Sequence, residues 1–353
     1  MNTHHIKTII KFFILLLNLL LFNTITYAAD KTLNVYTWSG YLSEPIMQLF
    51  EQQTGIRINH STYLSNEVLY SKLKANPDSG YDIIMPSTYF VNIMVKQNLI
   101  QKIDKTKLTN FKNLNPIFLN QEYDKNNEYS LPYVYLLTGI AINKKYHPEI
   151  NETSSISWSD LWNPKYKDQL LIFDDTRETF AISLMKLGYS INDTDPNHIK
   201  AAFETLNNLM GNIKLFNTEA QHSIYLDEDI TIGMGWNGDL YLAREENPNL
   251  TLIYPKEGFL MSLDCITIAK GAKHVNYAHQ FIDFILQASI AKEIALFSGF
   301  STPNLAGKKL LPNKLQSDPM LYPNAETMKR AKILNNIGDA AFIYEKYFEL
   351  LRS

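Results

Sequence analysis

The chain has 353 residues and a formal net charge of −3, with 33 Lys and Arg against 36 Asp and Glu, a balance that argues against a nucleic-acid partner. Hydrophobic residues make up 45% and charged residues 20%, which excludes disorder and leaves apolar side chain for a sizeable core; the length suits about two domains. Cys265 is the one cysteine, so an internal disulfide and a zinc site of several thiolates are both excluded.

In chain order, Lys7 and Lys11 lead into an apolar run over 12–22 broken by Asn18, followed by Thr26-Tyr27-Ala28. This pattern predicts a cleavable secretory signal over 1–28, its apolar part being shorter than the about 20 residues of a transmembrane helix. The other reading is an uncleaved anchor. Cleavage after Ala28 would leave a soluble, exported chain over 29–353.

Residues 33–38 read as a strand; Ser43 and Pro45 open a helix carrying Ile46, Leu49 and Phe50 towards Gly55, and a second strand follows over 56–63. Ser65 caps a helix to about Lys74, 81–85 is a strand ending at Pro86, and 89–98 is helical. Such alternation implies a parallel sheet with helices on both faces and a ligand beyond the carboxyl ends of the strands. Those ends are Trp38-Ser39-Gly40-Tyr41 and Ser87-Thr88-Tyr89.

The pattern restarts near residue 140, with strands at 140–143, 170–173, 230–234 and 250–254 and helices at 177–187 and 198–210. A strand at 264–269, a long helical stretch over 275–297 and an amphipathic segment at 342–351 complete the chain. Two α/β lobes without a long linker favour a cleft between them that closes by hinge motion.

Signatures of catalysis are weak. The one dinucleotide-type glycine pattern, Gly233 to Gly238, leaves only about eight residues for the helix that should carry a pyrophosphate, so a glycine-rich turn is the better account. Ser71, Ser183 and Ser289 each precede a lysine by three, without the companion motifs of such enzymes. Asp193-x-Asp195-x-Asn197 mimics a calcium loop, but His198 stands at its glycine position; Asp195 as a helix cap before Pro196 is preferred. No cofactor and no metal are expected.

Aromatics and carboxylates at loop positions remain. Trp38, Tyr41, Tyr89 and Trp236 close strands; Asp175 and Glu178 share one face of a first helical turn; Asp264 opens a later strand. Carboxylates facing flat aromatic walls suit an elongated organic cation such as a polyamine. Taken singly, each residue also has a structural explanation in domain core or helix dipole.

The chain resembles the periplasmic spermidine/putrescine-binding proteins of ABC importers through Tyr36-Thr37-Trp38-Ser39-Gly40-Tyr41, Pro86-Ser87-Thr88-Tyr89, Ile100-Gln101-Lys102-Ile103-Asp104, Asp174-Asp175-Thr176-Arg177-Glu178, Trp236-Asn237-Gly238 and Thr302-Pro303-Asn304. The resemblance implies a non-enzymatic α/β protein with the two-lobe type II periplasmic-binding-protein fold and a ligand cleft between the lobes. It places one lobe at 29–136 plus 263–308 and the other at 140–259 plus 312–353, with hinges near 137–139, 260–262 and 309–311. It implies that Trp38, Ser39, Tyr41, Ser87, Tyr89, Asp175, Glu178, Thr218, Trp236 and Asp264 bind the ligand, Thr218 on the shortest match. The partners implied are a polyamine, spermidine and/or putrescine, and an inner-membrane ABC permease with its ATPase; a monomer suits a cleft that opens and closes.

Four positions depart from the family pattern. Gly40 stands where an acid is frequent, Ser262 replaces a tryptophan, Phe300 a tyrosine and Leu334 a glutamine. Losing a charge-assisted bond costs about 1.5–3 kcal/mol, so the preferred polyamine is left open, and a diamine needs fewer acids. The alternatives are another small organic cation on the same fold, or a receptor that senses a polyamine.

Overall fold

Parallel strands open the computed structural model, which describes residues 31–150 and 155–353; the expected signal segment, 1–28, lies outside the described residues. β1 (Thr32–Trp38) pairs in parallel with β2 (Arg57–Tyr63) and with β3 (Ile83–Ile84). The connecting α1 (Glu44–Thr54) buries Ile46 and Phe50, and α2 (Asn66–Ala75) starts where Ser65 Oγ accepts the Val68 amide at 3.2 Å. α3 (Thr88–Lys96) follows β3 closely, and the short β4 (Ile100–Gln101) comes next and pairs antiparallel with Ile268 and Ala269.

β5 (Ser130–Asn143) is the longest strand, and every residue in it is buried. Only its last four residues were expected from the sequence. A strand covered on both faces loses the alternation that marks strands, and Pro132 argues against one locally. Pro132 is accommodated where the register between β5 and β10 slips.

The second half of the fold comprises β6 (Leu170–Ile172), α4 (Thr176–Leu187), α5 (Pro196–Asn207), β7 (Ile213–Phe216), α6 (Gln221–Leu226), β8 (Ile232–Trp236), α7 (Asn237–Glu246) and β9 (Leu250–Ile253). Asp195 Oδ1 accepts the Asn197 amide at 2.8 Å, so this residue is the helix cap expected in place of a calcium ligand. The glycine pattern has a packing cause: a Cβ on Gly233 would come 2.3 Å from the Leu171 carbonyl of the neighbouring strand.

β10 (Phe259–Ala269) returns antiparallel to β5, starting five residues before the predicted strand. The expected long helix is two, α8 (Val275–Ile285) and α9 (Ala288–Ser298). The Leu286 carbonyl at the break accepts from Asn113 Nδ2 at 3.0 Å and Asn304 Nδ2 at 2.8 Å, so side-chain amides take the place of the next helical turn. β11 (Ala331–Ile333) pairs with the start of β10, and α10 (Ala340–Arg352) ends the chain.

The strand order is β2-β1-β3-β10-β5-β8-β6-β7. β5 pairs with β10 up to Thr138, and from Thr138 onward with β8 and β9. The carboxyl ends of β1 and β3 on one side and of β6 and β8 on the other face the same central region. Core fills both faces of each half: Phe50 and Phe281 lie under one face of the first, Leu69 and Phe259 under the other, Trp158, Phe180 and Tyr344 under the second half, and Tyr225 and Leu240 on its opposite face.

Candidate functional site

Asp264 sits where the β5–β10 register slips and is 3% exposed. Its backbone bridges Ser87, and the next amide, Cys265, donates to the Pro86 carbonyl at 2.9 Å, so β10 is joined to the loop that opens α3. Ser87 Oγ donates to Asp264 Oδ1 at 2.5 Å and Tyr41 Oη donates to Oδ2. Burial pushes this carboxyl up to about 6 in spite of both donors.

The aromatics around it are fixed from behind. Tyr133 Oη donates to the Tyr41 carbonyl at 2.5 Å, and the two rings stack at 5.9 Å. Trp38 Nε1 donates to the Met85 carbonyl at 3.0 Å, its ring lying 4.8 Å from Tyr63 and 6.5 Å from Tyr41. Ser39 is exposed in the turn between them. Buried Asn66 orders the neighbouring loop: Nδ2 donates to Ser87 Oγ at 3.0 Å and Tyr89 Oη at 3.1 Å, and Oδ1 accepts the Ser87 amide at 3.0 Å.

From the other half, Asp175 caps α4 and accepts the Glu178 amide at 2.8 Å. Burial holds its carboxyl above the usual range, countered by that amide and by Arg177. Glu178, 5% exposed, accepts from Thr138 Oγ1 at 2.6 Å and from Trp236 Nε1 at 3.3 Å. Burial and then the charge of Asp175 push Glu178 up to about 8, with Asp264 adding to the same direction.

Trp236 is anchored by Gln221, whose Oε1 accepts its amide at 2.9 Å while Nε2 donates to the Thr218 carbonyl at 3.2 Å. Thr218 thus holds Gln221 through its carbonyl, and the residue is partly buried. Trp236 packs against the cores of both halves, and Tyr89, from the first half, lies close enough to Asp175 for that charge to raise its phenol.

The structure thus gathers Trp38, Tyr41, Ser87, Tyr89 and Asp264 from one side with Asp175, Glu178 and Trp236 from the other. Among the described residues no three His, Cys, Asp or Glu side chains come together as a metal site. Phe300 stands edge-on to Tyr41 with ring centroids 6.0 Å apart, Ser262 is partly buried two residues before Asp264, and Leu334 is buried in the core beside α10. Asn66, Thr138 and Gln221 escaped the sequence reading. A buried amide or hydroxyl that orients another residue has no spacing signature; only its partners, 21, 40 and 15 positions away, reveal it.

Two α/β halves joined by long strands, with carboxylates and aromatics facing each other across the join, define a two-lobe binding protein. The family model described as "Bacterial extracellular solute-binding protein" matches residues 46–322, and the chain belongs to that family. It is a periplasmic binding protein and not an enzyme. It is 43% identical over 328 residues to the spermidine/putrescine-binding periplasmic protein of Salmonella typhimurium, covering 93% of each chain. The Escherichia coli K12 protein of the same description is also 43% identical, over 324 residues and 92% of each chain. Among solved structures, the substrate-binding protein of a spermidine/putrescine ABC transporter from Streptococcus pneumoniae superposes with a TM-score of 0.79 at 32% identity, over 92% of this chain and all of that one.

Proposed function

We propose that this protein captures a linear polyamine in the cleft between its lobes and delivers it to an inner-membrane ABC permease with its ATPase. The observation that carries this reading is the placement of Asp175 and Asp264 within electrostatic reach of Glu178, among Trp38, Tyr41, Tyr89 and Trp236. Carboxylates pair with the ammonium groups of a polyamine, and the rings cover its methylenes and attract its charge. Ser39, Ser87 and Thr218 complete the polar lining. The proteins from Salmonella, Escherichia and Streptococcus carry spermidine and putrescine in their descriptions, which supports the same ligand class here.

Binding energy goes into closing the lobes, the hinges lying near 137–139, 260–262 and 309–311 between lobe 1 (29–136 plus 263–308) and lobe 2 (140–259 plus 312–353). The protein acts as a monomer. Three carboxylates suffice for the two ammonium groups of putrescine and match the three of spermidine in number, so the ligand is spermidine and/or putrescine. Isothermal titration calorimetry of residues 29–353, unfolded and refolded to remove carried-over ligand, tests this against spermidine, putrescine and cadaverine. Micromolar or tighter binding of one of them is expected; no heat from any of them with folded protein would overturn the reading.

A further inference from the structure

Thr138 occupies the point where β5 changes partners, its backbone pairing with Leu260 of β10 on one side and Trp236 of β8 on the other. The residue before it, Leu137, gives its N–H to Asn237 Oδ1 at 3.0 Å, and Asn237 Nδ2 donates to Ser301 Oγ at 3.0 Å, so the backbone here is held from both halves. Thr138 is 1% exposed, and its hydroxyl donates to Glu178 Oε2 at 2.6 Å. Trp236 Nε1 serves the other oxygen at the longer distance of 3.3 Å.

We propose that Thr138 is a positioning residue of the binding site, whose hydroxyl favours the charged form of Glu178, aims its carboxylate for a ligand ammonium group and ties it to the strand that crosses between the lobes. This rests on the polyamine reading above. The charged groups facing Glu178 are Asp175 from the start of its own helix, with Arg177 beside it, and Asp264 from β10. Both carboxylates, like burial, favour the protonated form of Glu178; the hydroxyl and the indole favour the anion. Without the shorter of these two bonds the carboxyl keeps its proton to higher pH, and a neutral Glu178 offers an ammonium group no counter-charge.

The test is calorimetric titration with putrescine from about pH 5.5 to about pH 9 and with spermidine from about pH 5.5 to about pH 8, ranges in which the ammonium groups of each stay largely charged. It compares the natural chain with Thr138→Val, Thr138→Ser and Glu178→Gln. Thr138→Val is expected to weaken binding roughly tenfold to a hundredfold near neutrality and to move the pH at which affinity is regained upward by about one unit. Thr138→Ser, which keeps the hydroxyl, restores both. In the Glu178→Gln background Thr138→Val produces no pH shift. A natural pH profile in Thr138→Val, or no rescue by Thr138→Ser, overturns the proposal; Thr138→Ala serves if the valine variant does not fold. A natural chain that binds neither polyamine overturns the polyamine reading itself, a result distinct from a change confined to Thr138.

Discussion

The hydroxyl of Tyr41 donates to Oδ2 of Asp264, joining residues 223 positions apart in the chain. With Ser87 on the other oxygen, the carboxylate is oriented by neutral donors before any ligand arrives. Preorganisation of this kind lowers the ordering cost of binding, and a cation bound here would supply the counter-charge that Tyr41 and Ser87 do not.

Replacing that charge tests the arrangement. Asp264→Asn keeps the shape of the side chain and removes its counter-charge, so polyamine affinity should fall roughly tenfold to a hundredfold, matching a charge-assisted bond of about 1.5–3 kcal/mol. Thermal unfolding of the ligand-free protein should not be lowered, because a buried, ligand-free carboxylate is itself unfavourable. Calorimetry and a melting curve check both halves of this expectation; unchanged affinity would remove Asp264 from the site.

Binding should release protons near neutral pH. Glu178 is raised to about 8 and Asp264 to about 6 in the ligand-free cleft, and ammonium groups select the charged forms. Affinity therefore rises with pH through this window. The sign for stability is opposite: the ligand-free fold binds more protons than the unfolded chain, whose glutamates titrate near about 4.3, so its stability falls as pH rises towards the raised values. The increase in Tm on adding putrescine should be larger at about pH 8 than at about pH 6. Titrations in buffers of different ionisation enthalpy measure the released protons, and a heat independent of buffer would contradict the expectation.

Gly238 makes room for Phe300. A Cβ there would lie 2.3 Å from Phe300 Cδ1, and Phe300 in turn stands against Tyr41. Gly238→Ala should cost about 1–3 kcal/mol in denaturant unfolding and weaken binding through Tyr41. The double variant Gly238→Ala with Phe300→Leu should recover stability; if it does not, the ring is not the obstacle.

Gly40 has a φ of 75° and open space around its Cα. Gly40→Asp would therefore enter without a clash, at a backbone cost of about 1 kcal/mol for the left-handed conformation. An added carboxylate beside Trp38 and Tyr41 should raise affinity for spermidine relative to putrescine. Competition titrations report the ratio, and an unchanged ratio would show that the acid at this turn does not set the preference.

Much of the fold was readable in the chain because its signals are local. The helix caps at Ser65 and Asp195 and the β-α alternation up to α3 lie within a few residues of the structure they specify. The strands that join the lobes were half hidden. β5 and β10 are apolar on both faces along most of their length, so alternation is absent, and the β5–β10 slip that positions Asp264 also carries a proline. The helix break at Leu286 depends on two asparagines distant in sequence.

Fold class and family were legible in the chain, and the candidate carboxylates and aromatics could be named from it, since these rest on residue type, spacing and ordered motifs. How those groups are charged and held depends on the folded arrangement. Glu178 owes its raised pKa to burial and to Asp175, and its orientation to Thr138 and Trp236; Asp264 owes its orientation to Tyr41 and Ser87. Desolvation and hydrogen-bond geometry depend on what surrounds a side chain in space, and for these residues most of those surroundings come from distant parts of the chain.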